Sequence, residues 1–144
     1  MILIDANILL YAYHPRSEQH VRSRQWLETA FAGPDPVRLA WTTIYAFLRI
    51  STNSRVFDHP LTMVEAEGHV SSWLALPGVD ALEPGEGYWA ILRELLQHGQ
   101  VSGALVMDAA LAALAIEHGA TLYTSDRDFS RFPKLRTVNP LSEQ

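Results

Sequence analysis

The sequence predicts a single α/β domain with a short, mainly parallel central sheet flanked by helices. Three observations predict it. Short aliphatic runs alternate from end to end with longer stretches at helical spacing. The chain has 144 residues, enough for one domain, whereas two would each be short of core. It has no cysteine and 48% hydrophobic residues, which excludes a disulfide scaffold, a thiol nucleophile, a thiolate metal site and disorder.

Ile2–Ile4 is a short aliphatic run suited to a buried strand. Asp5-Ala6-Asn7 can cap a helix over Ile8 to Tyr13, and Pro15 ends it. Ser17 is expected to open a second helix, with Glu18 in its first turn and Gly33-Pro34 as its stop. Val37 to Ala40 reads as a strand. Thr42 or Thr43 can cap the following helix, in which Ile44, Phe47, Leu48 and Ser51 share a face. Asn53 to Pro60 is a loop. Thr62 and Glu65 have capping-box spacing, so a helix should run to about Ala75. Pro77-Gly78 turns into a strand over Val79 to Leu82, and Glu86 to Gln97 is helical up to Gly99. Leu105 to His118 is the strongest helix, closed by Gly119. Thr121 to Thr124 and Arg136 to Val138 complete the strands.

In such sheets ligands bind beyond the carboxyl ends of the strands, so the acids there carry the interest. Asp5 follows the first strand, where a helix cap would also place it. Asp108 is the one charge in the helical stretch Ala104 to Ile116, which is otherwise apolar. The helix dipole favours an acid in a first turn. It does not explain so apolar a setting, because a buried carboxylate costs several kcal/mol unless paired or bound to a metal. Asp126 follows the last long strand, and Asp128 lies two residues on. Either can be a turn residue, yet two neighbouring carboxylates repel unless a cation is near. Acids far apart in sequence can converge at one point of such a sheet. Mg²⁺ and Mn²⁺ take oxygen ligands of this kind, and Mg²⁺ so held can activate water against a phosphodiester.

Three blocks give the chain a resemblance. Met1 to Tyr11 (MILIDANILLY) resembles the opening of PIN-domain ribonucleases, especially the VapC toxins of toxin–antitoxin pairs. Val106 to Ala115 (VMDAALAALA) is similar to their second block and Thr124 to Phe132 (TSDRDFSRF) to their third. The ending Leu135 to Leu141 matches one toxin subgroup. The resemblance covers essentially the whole chain, as one PIN-like domain over residues 1–144. It implies a Mg²⁺- or Mn²⁺-dependent endoribonuclease with Asp5, Asp108 and Asp126 as metal-site acids and Asp128 as an auxiliary acid. Asn7 and Ser125 would hydrogen-bond a carboxylate or the attacking water. It also implies a homodimer, a cognate antitoxin docking an amphipathic helix or tail in an apolar groove, and a structured RNA such as tRNA or rRNA as substrate. One position departs from the pattern: the glutamate expected on the helix after the second strand falls near Ala46, and nothing acidic lies between Leu39 and Arg55. Asp128 replaces it, or the site works with three acids, or activity is weak. A degenerate PIN domain that binds RNA or a protein without cleaving is the alternative reading.

Nothing else competes. The six histidines show no metal spacing; His14 and His20 are expected at the surface, and His118 suits a helix C-terminus. There is no nucleophile elbow, phosphate-binding glycine loop or dinucleotide fingerprint. A metal-dependent phosphatase would want a second aspartate two residues after Asp5, where Asn7 stands. Trp26, Trp41, Trp73 and Trp89 are expected in the core. The stretches Ser17 to Ala32 and Thr62 to Ala75 are a candidate dimer face. Ten of the eleven basic residues are arginine, and Arg49, Arg55, Arg127 and Arg131 flank the site segments as candidates for RNA-backbone contact. The sequence shows neither a signal peptide nor a membrane span, so a cytoplasmic protein is expected. The net charge of −5 argues against nucleic acid only at first sight: without Asp5, Asp108, Asp126 and Asp128, 12 acids face 11 bases.

Overall fold

A computed structural model describes residues 1–142. Strands β1 (Ile2–Ile4), β2 (Val37–Ala40), β3 (Val79–Leu82), β4 (Thr121–Tyr123) and β5 (Thr137–Val138) form one sheet in the order β3-β2-β1-β4-β5, every pairing parallel. Helices α1 (Ala6–Ala12), α2 (His20–Ala32), α3 (Trp41–Ser51) and α4 (Met63–Leu74) pack through one core cluster, and α5 (Tyr88–His98) and α6 (Leu105–His118) through a second. Alternation along β1 feeds both: Ile4 belongs to the first cluster and Leu3 to the second. Among the described residues no helix is long and apolar enough to cross a membrane.

The chain order explains where a site can form. From β1 the chain moves outward through β2 and β3, then returns to place β4 on the other side of β1. The crevice beyond the carboxyl ends of β1 and β4 is therefore the topological switch point of the sheet. Asp5 and Asp126 follow those two strands.

Most element boundaries agree with the sequence. The capping box at Thr62 is made in full: its hydroxyl accepts from Glu65 N–H at 3.1 Å, and the Glu65 carboxylate accepts from Thr62 N–H at 3.1 Å. Gly119 closes α6 at φ 66°, a left-handed conformation that favours glycine. Several expectations are corrected. Ser17 does not open α2. Its hydroxyl accepts from Gln19 N–H at 3.2 Å in a turn, and the helix starts at His20. Thr42 and Thr43 do not cap α3, which begins already at Trp41, with Ala40 at the cap. Helix α1, expected from Ile8, already starts at Ala6, with Asp5 as its cap. Helix α5 starts at Tyr88, two residues late.

Two of the four tryptophans are in the core as expected: Trp73 is buried and the half-buried Trp26 stacks on Tyr123 at 5.0 Å. Trp41 and Trp89 are exposed, at 38% and 63%. Their positions early in helices suggested burial by pattern, yet both project from the solvent side. His14 is half-buried rather than superficial, because its ring stacks on Phe57 at 3.4 Å. That burial lowers its pKa, with a small push from His20.

Candidate metal centre

Asp5 leaves β1 in extended conformation and caps α1, its Oδ1 accepting from Ala6 N–H at 2.8 Å. Its Oδ2 accepts the hydroxyl proton of Thr124 at 2.7 Å. The same Thr124 oxygen accepts from Asp126 N–H at 3.0 Å, and Asp126 Oδ1 accepts from Asp128 N–H at 2.9 Å. Thr124, buried at the end of β4, therefore ties the first acid to the segment that carries the third and fourth. Asp126 caps a short 3-10 turn at Arg127–Arg131, whose Phe129 is anchored in the core. Asp108 enters from the first turn of α6.

The acids come together in two overlapping groups. Asp108, Asp126 and Asp128 each offer a carboxylate oxygen, and these oxygens all lie within 4.8 Å of one another. Asp5 and Asp108 line one cleft of about 260 Å³ together with Tyr45, Ala46, Arg49 and Met107. Burial pushes the Asp108 carboxyl up to about 6, and Asp126, Asp5 and Asp128 push the same way against Arg131. Burial also raises Asp5, while its bonds from Thr124 and Ala6 oppose the shift and Asp126 adds to it. Oxygen-only donors, mutual repulsion and raised proton affinity are what a hard divalent ion relieves, so the residues fit Mg²⁺ or Mn²⁺.

The remaining candidates divide. Asn7 lies in the first turn of α1, and its Oδ1 is buried without a hydrogen-bond partner. Ser125 and Arg127 line a separate shallow depression with Thr124 and Asp126. Arg49 is exposed at the acidic cleft, and Arg55 is exposed in the loop after α3. Arg131 is held inward: its Nε donates to Asp128 O and its Nη1 to Gly99 O, both at 3.2 Å. Its charge opposes the raised proton affinity of Asp108. Ala46, where the family pattern wants glutamate, does face the cleft of Asp5 and Asp108.

Sequence reasoning missed Thr124 and Tyr45. Thr124 passed for a strand residue, although a polar side chain at a parallel strand's carboxyl end was itself a signal. Nothing in the pattern of α3 told the cleft-facing Tyr45 from a solvated one. Thr124→Val should leave Asp5 Oδ2 without its donor and Asp126 N–H without its acceptor. If the acids hold a divalent ion, its affinity should fall roughly 10-fold or more, and calorimetric titration with Mn²⁺ against the parent reads it.

The PIN-domain family model matches residues 2–135. Ribonuclease VapC37 of Mycobacterium tuberculosis is 40% identical over 140 residues, spanning 97% of each chain. Ribonuclease VapC33 of the same species is 37% identical over 143 residues, spanning 99% of this chain and all of its own. A toxin–antitoxin complex from Klebsiella pneumoniae contains a chain of the same fold, at TM-score 0.63 and 21% identity over 97% of this chain and 98% of that one. The chain belongs to the PIN-domain family and, within it, to the VapC ribonucleases.

Proposed function

We propose that the chain is a Mg²⁺- or Mn²⁺-dependent endoribonuclease and the toxin of a toxin–antitoxin pair, active in the cytoplasm. The observation that carries the reading is the convergence of Asp108, Asp126 and Asp128 at the switch point of the sheet, in a chain 40% identical to a ribonuclease. These three acids would hold the ion. When bound, it supplies a water of lowered pKa and positive charge beside the scissile phosphate.

The chain's own residues do the rest. Asp5, held by Thr124 and the Ala6 N–H, lies against the same cleft as Asp108. Burial raises its proton affinity, which suits a carboxylate that takes a proton from an attacking water. Arg49, exposed at that cleft, meets the RNA backbone. Water is the nucleophile and no covalent intermediate forms. The protein partners in this reading are a cognate antitoxin and a second copy of the chain. A groove between α2 and α4, in which Arg24 and Glu28 lie beside the mostly apolar lining of Leu27, Phe31, Trp73 and Leu76, supports a place for one of them.

The test is cleavage of purified tRNA and rRNA with Mg²⁺ or Mn²⁺. Cleavage should stop in EDTA and in the Asp5→Asn and Asp108→Asn variants. Cleavage that survives both substitutions overturns the reading. The non-cleaving alternative takes support only from Ala46, and it predicts RNA binding without products in any metal.

A further inference from the structure

The cleft beside the acids has an apolar wall that metal chemistry does not use. Tyr45, 61% exposed, and Met107, 55% exposed, line it together with Ala46 and with the charged Asp5, Asp108 and Arg49. Trp41, one helical turn before Tyr45 on α3, is exposed as well, and its ring centroid lies 6.2 Å from that of Tyr45 at an angle of 32°. Leaving two aromatic rings and a methionine in water is unfavourable unless a ligand covers them. Position 46 matters here. A carboxylate at that point would put charge on this wall, and alanine leaves it apolar and open.

We infer that the wall formed by Tyr45, Ala46 and Met107 receives the nucleobase next to the scissile phosphate of a single-stranded RNA segment, the base stacking on Tyr45. The inference rests on the ribonuclease reading and deepens it by naming what the cleft binds. A base has a flat apolar face that stacks on tyrosine, and the attached phosphate then lies toward Arg49 and the acids. Stacking of this kind tolerates any base, so the wall orients the strand and does not read its sequence. The missing glutamate becomes intelligible: Asp128 offers a carboxylate beside Asp108 and Asp126, and α3 is left free for the base.

The test uses a short fluorescein-labelled poly(A) strand and a counterpart with abasic positions. Protein carrying Asp126→Asn, which leaves the cleft wall intact, is titrated into each at Mg²⁺ high enough to saturate its weakened site, and anisotropy reads the binding. Removing bases should weaken binding about 10-fold. Tyr45→Leu, and Ala46→Leu which fills the cleft, should erase most of that difference, while Tyr45→Phe and Tyr45→Trp keep it. In the cleaving protein Tyr45→Leu should raise KM more than it lowers kcat. The inference is overturned if Tyr45→Leu and Ala46→Leu distinguish the two strands as strongly as the parent does. It also falls if both strands weaken equally and sedimentation shows a lost dimer, for the wall is then a contact between protomers. A parent that cleaves RNA but ignores the missing bases sinks this inference alone. One that neither binds nor cleaves RNA sinks the ribonuclease reading with it.

Discussion

Asp108→Asn is expected to lower RNA cleavage by more than about 100-fold and, at the same time, to make the metal-free protein more stable at neutral pH. Both effects have one origin. The Asp108 carboxyl is pushed up to about 6, chiefly by burial and then by Asp126, Asp5 and Asp128. A raised acid favours the folded state only while protonated. Its contribution is whole below the ordinary carboxylate range and is lost as pH rises through about 6. At pH 7 the ionised group is a liability that asparagine removes. Discounted for solvent screening, the gain is on the order of 1 kcal/mol, or roughly 2–4 °C in Tm. Saturating Mg²⁺ should reverse the ranking, since it binds the folded parent and finds fewer ligands in the variant. Thermal melts of both proteins with and without Mg²⁺ read this directly. A variant less stable than the parent in EDTA would mean that Asp108 serves the fold instead.

Trp73→Ala is expected to cost about 3–5 kcal/mol of stability, the range for deleting a large buried aromatic. Trp73 is 1% exposed on α4 and packs edge-on against Phe47 at 4.8 Å and beside Tyr13 at 5.4 Å. Its Nε1–H donates to the Tyr13 hydroxyl at 2.8 Å. Alanine would leave a cavity and strip that hydroxyl of its donor. Trp73→Phe keeps most of the packing and loses the hydrogen bond, so it should cost less, about 1–2 kcal/mol. Urea denaturation followed by circular dichroism gives both numbers. Trp73 does not line the acidic cleft, so activity per folded molecule should hold in the phenylalanine variant.

The reach of the sequence follows from what each signal encodes. Local chemistry was legible. The Thr62–Glu65 capping box, the Gly119 stop and the bounds of α6 are set by neighbours in the chain, and the structure reproduces them. Asp108 stood out in the sequence because it breaks a local rule, a lone carboxylate in an apolar helix, whereas Asp5 and Asp126 sit where a cap residue is ordinary. Tertiary settlement was not legible. Whether Trp41 or Trp73 faces the core depends on which helices cover α3 and α4, and four tryptophans in similar helical settings divide evenly between core and surface. The bridge from Thr124 to Asp5 spans 119 residues, and no periodicity announces a contact at that separation. Arg131 looked like a phosphate contact because of its neighbours. Its Nε and Nη1 donate to carbonyls at Asp128 and Gly99, which only the packed fold brings to it.

On the proposed reading, Asp108, Asp126 and Asp128 form the metal centre, with Asp128 standing in for the acid absent at Ala46. Calorimetric titration of the parent, Asp126→Asn and Asp128→Asn with Mn²⁺, above the pH at which Asp108 ionises, tests it most directly. The account predicts saturable binding in the parent, weakened roughly 10- to 100-fold or more in each variant. Binding as tight in Asp128→Asn as in the parent would contradict it.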